Sequence, residues 1–155
     1  MRTLVLGIGN TLLGDEGAGV HAIHELRERN NDLDEVEFMD GGTLSFTLAA
    51  PVEDCDNLIV IDAAELQSPP GTVRTFIDED MDHFLGNQRK RSVHEVSLMD
   101  LLGVALLSGN LPRHRALIGI QPQYVDWATQ PTPAVAAGIG EACTAAETLL
   151  QDWRP

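Results

Sequence analysis

The stretch Thr3-Leu4-Val5-Leu6-Gly7-Ile8-Gly9-Asn10-Thr11-Leu12-Leu13-Gly14-Asp15-Glu16-Gly17 sets the reading of the whole chain. Its first part, Thr3 to Ile8, is a short apolar run of the kind that forms a buried strand. The run opens into a glycine-rich loop with two adjacent acids. Val20, Ile23 and Leu26 then recur at helical spacing until Asn30-Asn31 breaks the pattern, which marks an amphipathic crossover helix. Working outward, the runs Val36 to Met39, Asn57 to Ile61, Thr72 to Ile77 and Ala116 to Ile120 alternate with further helical patterns. Leu98, Leu101, Leu102, Ala105 and Leu106 share one helical face before Ser108-Gly109-Asn110 ends it. Thr132-Pro133 offers an N-cap and a first-turn proline for a last helix carrying Val135, Ile139, Ala142, Ala146, Leu149 and Trp153 on one face. Such alternation predicts an α/β fold with a mostly parallel sheet of about five strands. No repeat, low-complexity segment or linker interrupts it, so residues 1–155 read as one domain.

A chain of 155 residues has enough apolar surface to cover a sheet on both faces without a disulfide or metal staple. Lys and Arg total 10 against 24 Asp and Glu, a formal net charge of −14, which argues against general binding to nucleic acid or anionic lipid. Cys55 and Cys143 lie far apart and form no CxxC pair, so neither a disulfide framework nor a zinc ribbon is indicated, and a reducing cytoplasm suits them. The apolar N-terminal run is too short for a signal sequence, and no stretch is long enough to span a bilayer. A soluble, cytoplasmic protein without membrane insertion is expected.

Ligands of open α/β sheets bind beyond the carboxyl ends of the strands, so the residues that follow each apolar run are informative. They are Asp15-Glu16, Asp40-Gly41-Gly42-Thr43, Asp62 and Gln121-Pro122, while His94-Glu95 stands ahead of the Leu98 helix, after the basic run Arg89-Lys90-Arg91. Each has an ordinary alternative. Asp15 or Glu16 could favour the positive end of a helix, Asp40 could bond its own turn, and His94 could be a surface or capping histidine. Asp62 resists this, because a carboxylate after four apolar residues bears a desolvation cost unless something pairs with it. Glu16, Asp40, Asp62 and His94 are expected to converge on one edge of the sheet. Arg89 to Arg91 would there border the cleft or be plain solvated loop.

Several motifs are ruled out. Leu12 stands where the dinucleotide fingerprint needs its third glycine, there is no GxxxxGK(S/T), and Lys90 is the chain's one lysine. His94-Glu95-Val96-Ser97-Leu98 departs from HExxH at its last position, and GxSxG is missing. His21 and His24, one turn apart beside Glu25, form a weaker metal candidate. What remains is Glu16, Asp62 and His94, two oxygen donors and one nitrogen donor that suit a divalent zinc, nickel or manganese ion with open positions. Chemistry alone therefore predicts a metal-assisted hydrolase.

Taken in order, Gly7-x-Gly9-Asn10 with Asp15-Glu16-Gly17, Asp40-Gly41-Gly42-Thr43, Ile61-Asp62-Ala63, His94 and Gly119-Ile120-Gln121-Pro122 resemble the hydrogenase maturation endopeptidases. These proteases trim the precursor of the nickel-iron hydrogenase large subunit, and the resemblance runs over nearly the whole chain. It implies a three-layer α/β sandwich around a central twisted sheet. It also implies a peptidase that removes a C-terminal extension after nickel insertion, with the family's metal-contacting residues at Glu16, Asp62 and His94. Asp40 matches an acid implicated in activity or substrate recognition. The nickel is expected to arrive bound in the substrate, zinc or cadmium standing in for it in crystals. The expected partner is the large-subunit precursor. Two readings compete with this one: a metallohydrolase with its own resident zinc, and a non-enzymatic flavodoxin-like ligand-binding domain.

Overall fold

An unbroken apolar run belongs where both faces of a strand are covered, and β1 (Thr3–Ile8) and β3 (Asn57–Ala63) hold such places in the sheet. The computed structural model describes residues 1–88 and 97–155. Around that pair lie β2 (Val36–Gly42), β5 (His114–Ile120) and β4 (Val73–Ile77), in the order β2-β1-β3-β5-β4. All pairings are parallel except that of β4 with β5.

Alternation along the strands sorts the core into two layers. Val5, Ile59, Ile61, Ile118 and Ile120 point to the face covered by α1 (Ala18–Arg29) and α5 (Pro133–Asp152), where Ile23, Leu26, Val135 and Ile139 meet them. Leu4, Leu6, Leu58, Val60 and Leu117 point the other way, onto Val52 of α2 (Ala49–Asp54), Met81 of α3 (Glu79–Gln88) and Leu101 of α4 (Leu98–Leu107). The sandwich with helices on both faces is therefore present. No described helix is long and apolar enough to cross a membrane.

The elements differ from the sequence reading at their ends. β2 continues through Asp40 and Gly41 to Gly42, and β3 takes in Asp62, because backbone pairing with neighbouring strands carries polar residues that hydropathy assigns to loops. β4 runs antiparallel at the sheet's edge. Two helices escaped the apolar pattern: α2, which is short, and α3, which opens with three acids among its first four residues. α3 is held by tertiary bonds instead. Arg115 of β5 donates from Nε to Asp82 at 3.0 Å, and the Arg115 amide donates to Asp78 at 2.9 Å. The last helix begins where expected, at Pro133 after Thr132, but Thr132 makes no side-chain cap bond to it.

One close approach sets the position of α1 over the strand ends. A Cβ on Gly19 would fall onto the carbonyl oxygens of Ile61 and Ile8, so the helix rests directly on the backbones of β1 and β3. Gly19→Ala should force these layers apart at a cost of about 3 kcal/mol. Gly140, inside α5 with nothing near its would-be Cβ, is the control: Gly140→Ala should stabilise by about 0.5 to 1 kcal/mol through helix propensity. Urea unfolding of both variants measures the contrast, and a neutral Gly19→Ala would refute the contact.

Candidate active site

The site starts from the turn that leaves β1. Gly9 has φ of 141°, and a Cβ there would strike the carbonyl oxygen of Glu16, so glycine lets the chain fold back over the strand end. Asn10 closes the turn, its side-chain oxygen accepting from the Leu12 amide at 2.9 Å and its carbonyl from Leu13 at 3.1 Å. A 3-10 turn, Gly14–Gly17, then presents two acids to opposite fates.

Asp15 is turned inward and is fully buried. Its carboxylate accepts from the amides of Gln123 (2.9 Å), Tyr124 (3.0 Å) and Thr132 (2.7 Å), and from the Thr132 hydroxyl (2.9 Å). Burial alone would raise its pKa, but these four bonds outweigh burial and hold it below the usual carboxylate value. Thr132 is thereby drawn to Asp15 rather than to its own helix.

Glu16 faces the other way, into a cleft of about 750 Å³ beyond the carboxyl ends of β1 and β3. Asp62 enters from the tip of β3, and Gly9, Leu13, Thr43 and Phe46 complete most of the wall. Because β2 lies on one side of β1 and β3 on the other, this is the point where the strand order reverses, the usual ligand site of open α/β sheets. Burial first, and the neighbouring Glu16 carboxylate second, push Asp62 well above the ordinary carboxylate range, despite a bond from the Ala63 backbone that favours the charged form. The Glu16 carboxylate thereby adds to the cost that burial sets on ionising Asp62.

The structure thus brings Glu16 and Asp62 together. Asp40 sits next door, in a depression of about 310 Å³ that shares Gly9, Asn10 and Thr43 with the cleft. It is exposed, accepts from the Gly42 amide at 2.9 Å and lies 3.5 Å from Nε2 of His24. The alternative turn role is therefore present in its geometry. His24 is engaged with Asp40, and His21 is half-buried, with burial and then His24 pushing its pKa down. Among the described residues, no group of three or more His, Cys, Asp or Glu side chains could hold a metal ion. His94, and with it Arg89-Lys90-Arg91, lies outside the described residues. The residue whose part went unread is Asp15. Adjacent acids before a helix gave the signal, but only the fold separates a structural carboxylate from one facing the cleft.

An α/β sandwich with paired carboxylates at its switch-point cleft is the class that fold and site define, and comparison with known proteins narrows it. The family model HycI, hydrogenase maturation protease, matches residues 20–149. The chain belongs to the hydrogenase maturation protease family, which makes it a peptidase. It is 38% identical over 153 residues to the hydrogenase expression/formation protein HupD of Bradyrhizobium diazoefficiens, covering 98% of this chain and 79% of that one. It is 36% identical over 143 residues to the hydrogenase 2 maturation protease of Escherichia coli, covering 92% and 86% respectively. The solved structure of the hydrogenase maturating endopeptidase HybD from E. coli superposes with a TM-score of 0.90 at 35% identity, covering 98% of this chain and 93% of that one.

Removing the Asp15 charge tests the inner half of the site. Asparagine offers one acceptor where four donors converge, so Asp15→Asn should cost about 3 kcal/mol at neutral pH. The folded pKa lies below the unfolded value, near 3.8. The carboxylate's contribution is therefore complete above the unfolded pKa and is lost as pH falls through the lower folded one. Thermal unfolding of both proteins should show a deficit that is constant at neutral pH and shrinks in acid. A deficit independent of pH would refute the charged role.

Proposed function

We propose that this chain removes the C-terminal extension from the precursor of a nickel-iron hydrogenase large subunit, and that it reads the nickel already held by that substrate. The observation that carries the reading is the meeting of Glu16 and Asp62 in one cleft, where burial and then the Glu16 carboxylate raise the cost of ionising Asp62. A divalent ion relieves that cost. Carboxylates without a soft ligand hold nickel weakly by themselves, so the ion is best supplied by the substrate. A precursor lacking nickel then leaves the cleft unengaged.

In this reading Glu16 and Asp62 contact the substrate's nickel, with His94, as the family resemblance implies, supplying a nitrogen donor. That contact fixes the scissile carbonyl against the cleft wall. Water adds to the carbonyl carbon, its proton passes to a carboxylate, and the proton then goes to the leaving amine nitrogen as the C–N bond breaks. Glu16 within the cleft and Asp40 in the adjoining depression are the two candidates for that carboxylate. Both cysteines are buried free thiols, burial raising Cys55 to about 11 and Cys143 to about 12. They take no part as nucleophiles, and they support a reaction in the cytoplasm.

Glu16→Gln, Asp62→Asn and His94→Ala should each stay folded and slow processing of nickel-loaded precursor about 100-fold or more. Asp40→Asn separates the two candidates for the proton, since a comparable loss assigns that step to Asp40. Gel-shift assays with nickel-loaded and nickel-free precursor read both. Equal cleavage of the two precursors overturns the proposal. A stoichiometric zinc in protein purified without added metal favours the resident-metal hydrolase instead.

A further inference from the structure

We infer that the surface formed by Leu12, Tyr124, Val125 and Trp127 is the docking site for the folded body of the precursor whose C-terminal segment enters the cleft. Fractional exposures are 54% for Leu12, 47% for Tyr124, 52% for Val125 and 74% for Trp127. Single exposed apolar residues are ordinary, but neighbouring ones mark an interface. Three observations bring Leu12, Tyr124 and Trp127 to one edge, with Val125 next to Tyr124 in the chain, and give them a partner.

First, the patch is one surface. Leu13 pairs with Ala128 as a parallel bridge, and the Ala128 amide donates to the Leu12 carbonyl at 3.0 Å. That bond sets the Trp127–Ala128 peptide against the Leu12 carbonyl, which brings the backbones of Leu12 and Trp127 side by side. The Tyr124 carbonyl accepts from the Asp15 amide at 2.8 Å, and its ring lies against Gly14, where an added Cβ would come within 3.2 Å of it. Second, the patch is held rigid, because the buried Asp15 carboxylate binds the 123–132 loop at three amides and one hydroxyl. Aromatic anchors on a preformed loop lose little entropy on binding. This chain has two tryptophans and one tyrosine, and one tryptophan and the tyrosine stand here. Trp and Tyr enrich the cores of protein interfaces, where charges are depleted. Third, the patch is continuous with the cleft, since Leu13 lines the cleft beside Glu16 and Asp62 while Leu12 opens the patch. A protein whose tail lies in the cleft must rest its body on the adjoining rim. On a chain of net charge −14, the 124–127 segment carries a single charge, that of the exposed Asp126, whose carboxylate accepts from the Trp127 amide at 2.8 Å.

This docking rests on the proposed function, and the experiment separates the two. Trp127→Ser and Leu12→Ser/Trp127→Ser, both exposed changes, should keep the parent Tm. With nickel-loaded precursor their KM should rise about tenfold or more while kcat holds. In protein labelled with fluorotryptophan and assigned through Trp153→Phe, the Trp127 fluorine resonance should move on adding precursor. Trp153, stacked on His114 at the start of β5, should stay. A parent that processes precursor alongside variants of unchanged KM overturns the docking site and leaves the function standing. A parent that binds precursor with the Trp127 shift but never cleaves it overturns the function and leaves the docking site standing. Concentration-dependent dimerisation abolished by Trp127→Ser assigns the patch to a second copy and overturns the proposal.

Discussion

A single carboxylate, that of Asp15, joins the two halves of the cleft edge. It is fully buried, a position in which an ion persists only if hydrogen bonds replace its water. The replacements come from Gln123, Tyr124 and Thr132, over a hundred residues away along the chain. The turn after β1 is thereby fastened to the loop between β5 and α5. Glu16, the next residue, inherits its direction from that fastening, and so does the exposed aromatic loop. Thr132 gives up its capping bond to serve Asp15, so the start of α5 is subordinate to the site.

A second constraint is electrostatic, and it runs against stability. The chain carries a net charge of −14, and within the cleft one of its acids, Asp62, is desolvated beside Glu16. For an acid whose folded pKa is raised, the native state holds its proton longer than the unfolded chain. Stability is therefore fullest at low pH and falls as pH rises from the unfolded pKa through the folded one. Asp15 has the opposite sign. Two acids of the same strand-end region thus oppose one another: ionisation of Asp15 stabilises the fold, and ionisation of Asp62 works against it. Strain of this kind is retained where function requires it.

The apolar runs, the helical spacings and the glycines after β1 carried the architecture, because local hydropathy periods follow directly from strand and helix geometry. Thr3 to Ile8 reads as a strand from sequence alone, and its limits agree with the structure. The positions of Glu16, Asp40 and Asp62 near the carboxyl edge follow from a parallel sheet, in which each crossover returns the chain to the same side. The ordered motifs also sufficed to suggest the family. What the sequence could not order was the division of labour among those acids. Asp15 and Glu16 are neighbours of like charge and similar size, and only the loop arriving from beyond β5 turns one into a buried tie and leaves the other in the cleft. Asp40 likewise depends on where α1 sets His24. Helix α3 was illegible for the same reason, since its anchor is Arg115 on a distant strand. Periodicity is a property of neighbours in the chain, whereas hydrogen-bond partners and desolvation are properties of neighbours in space.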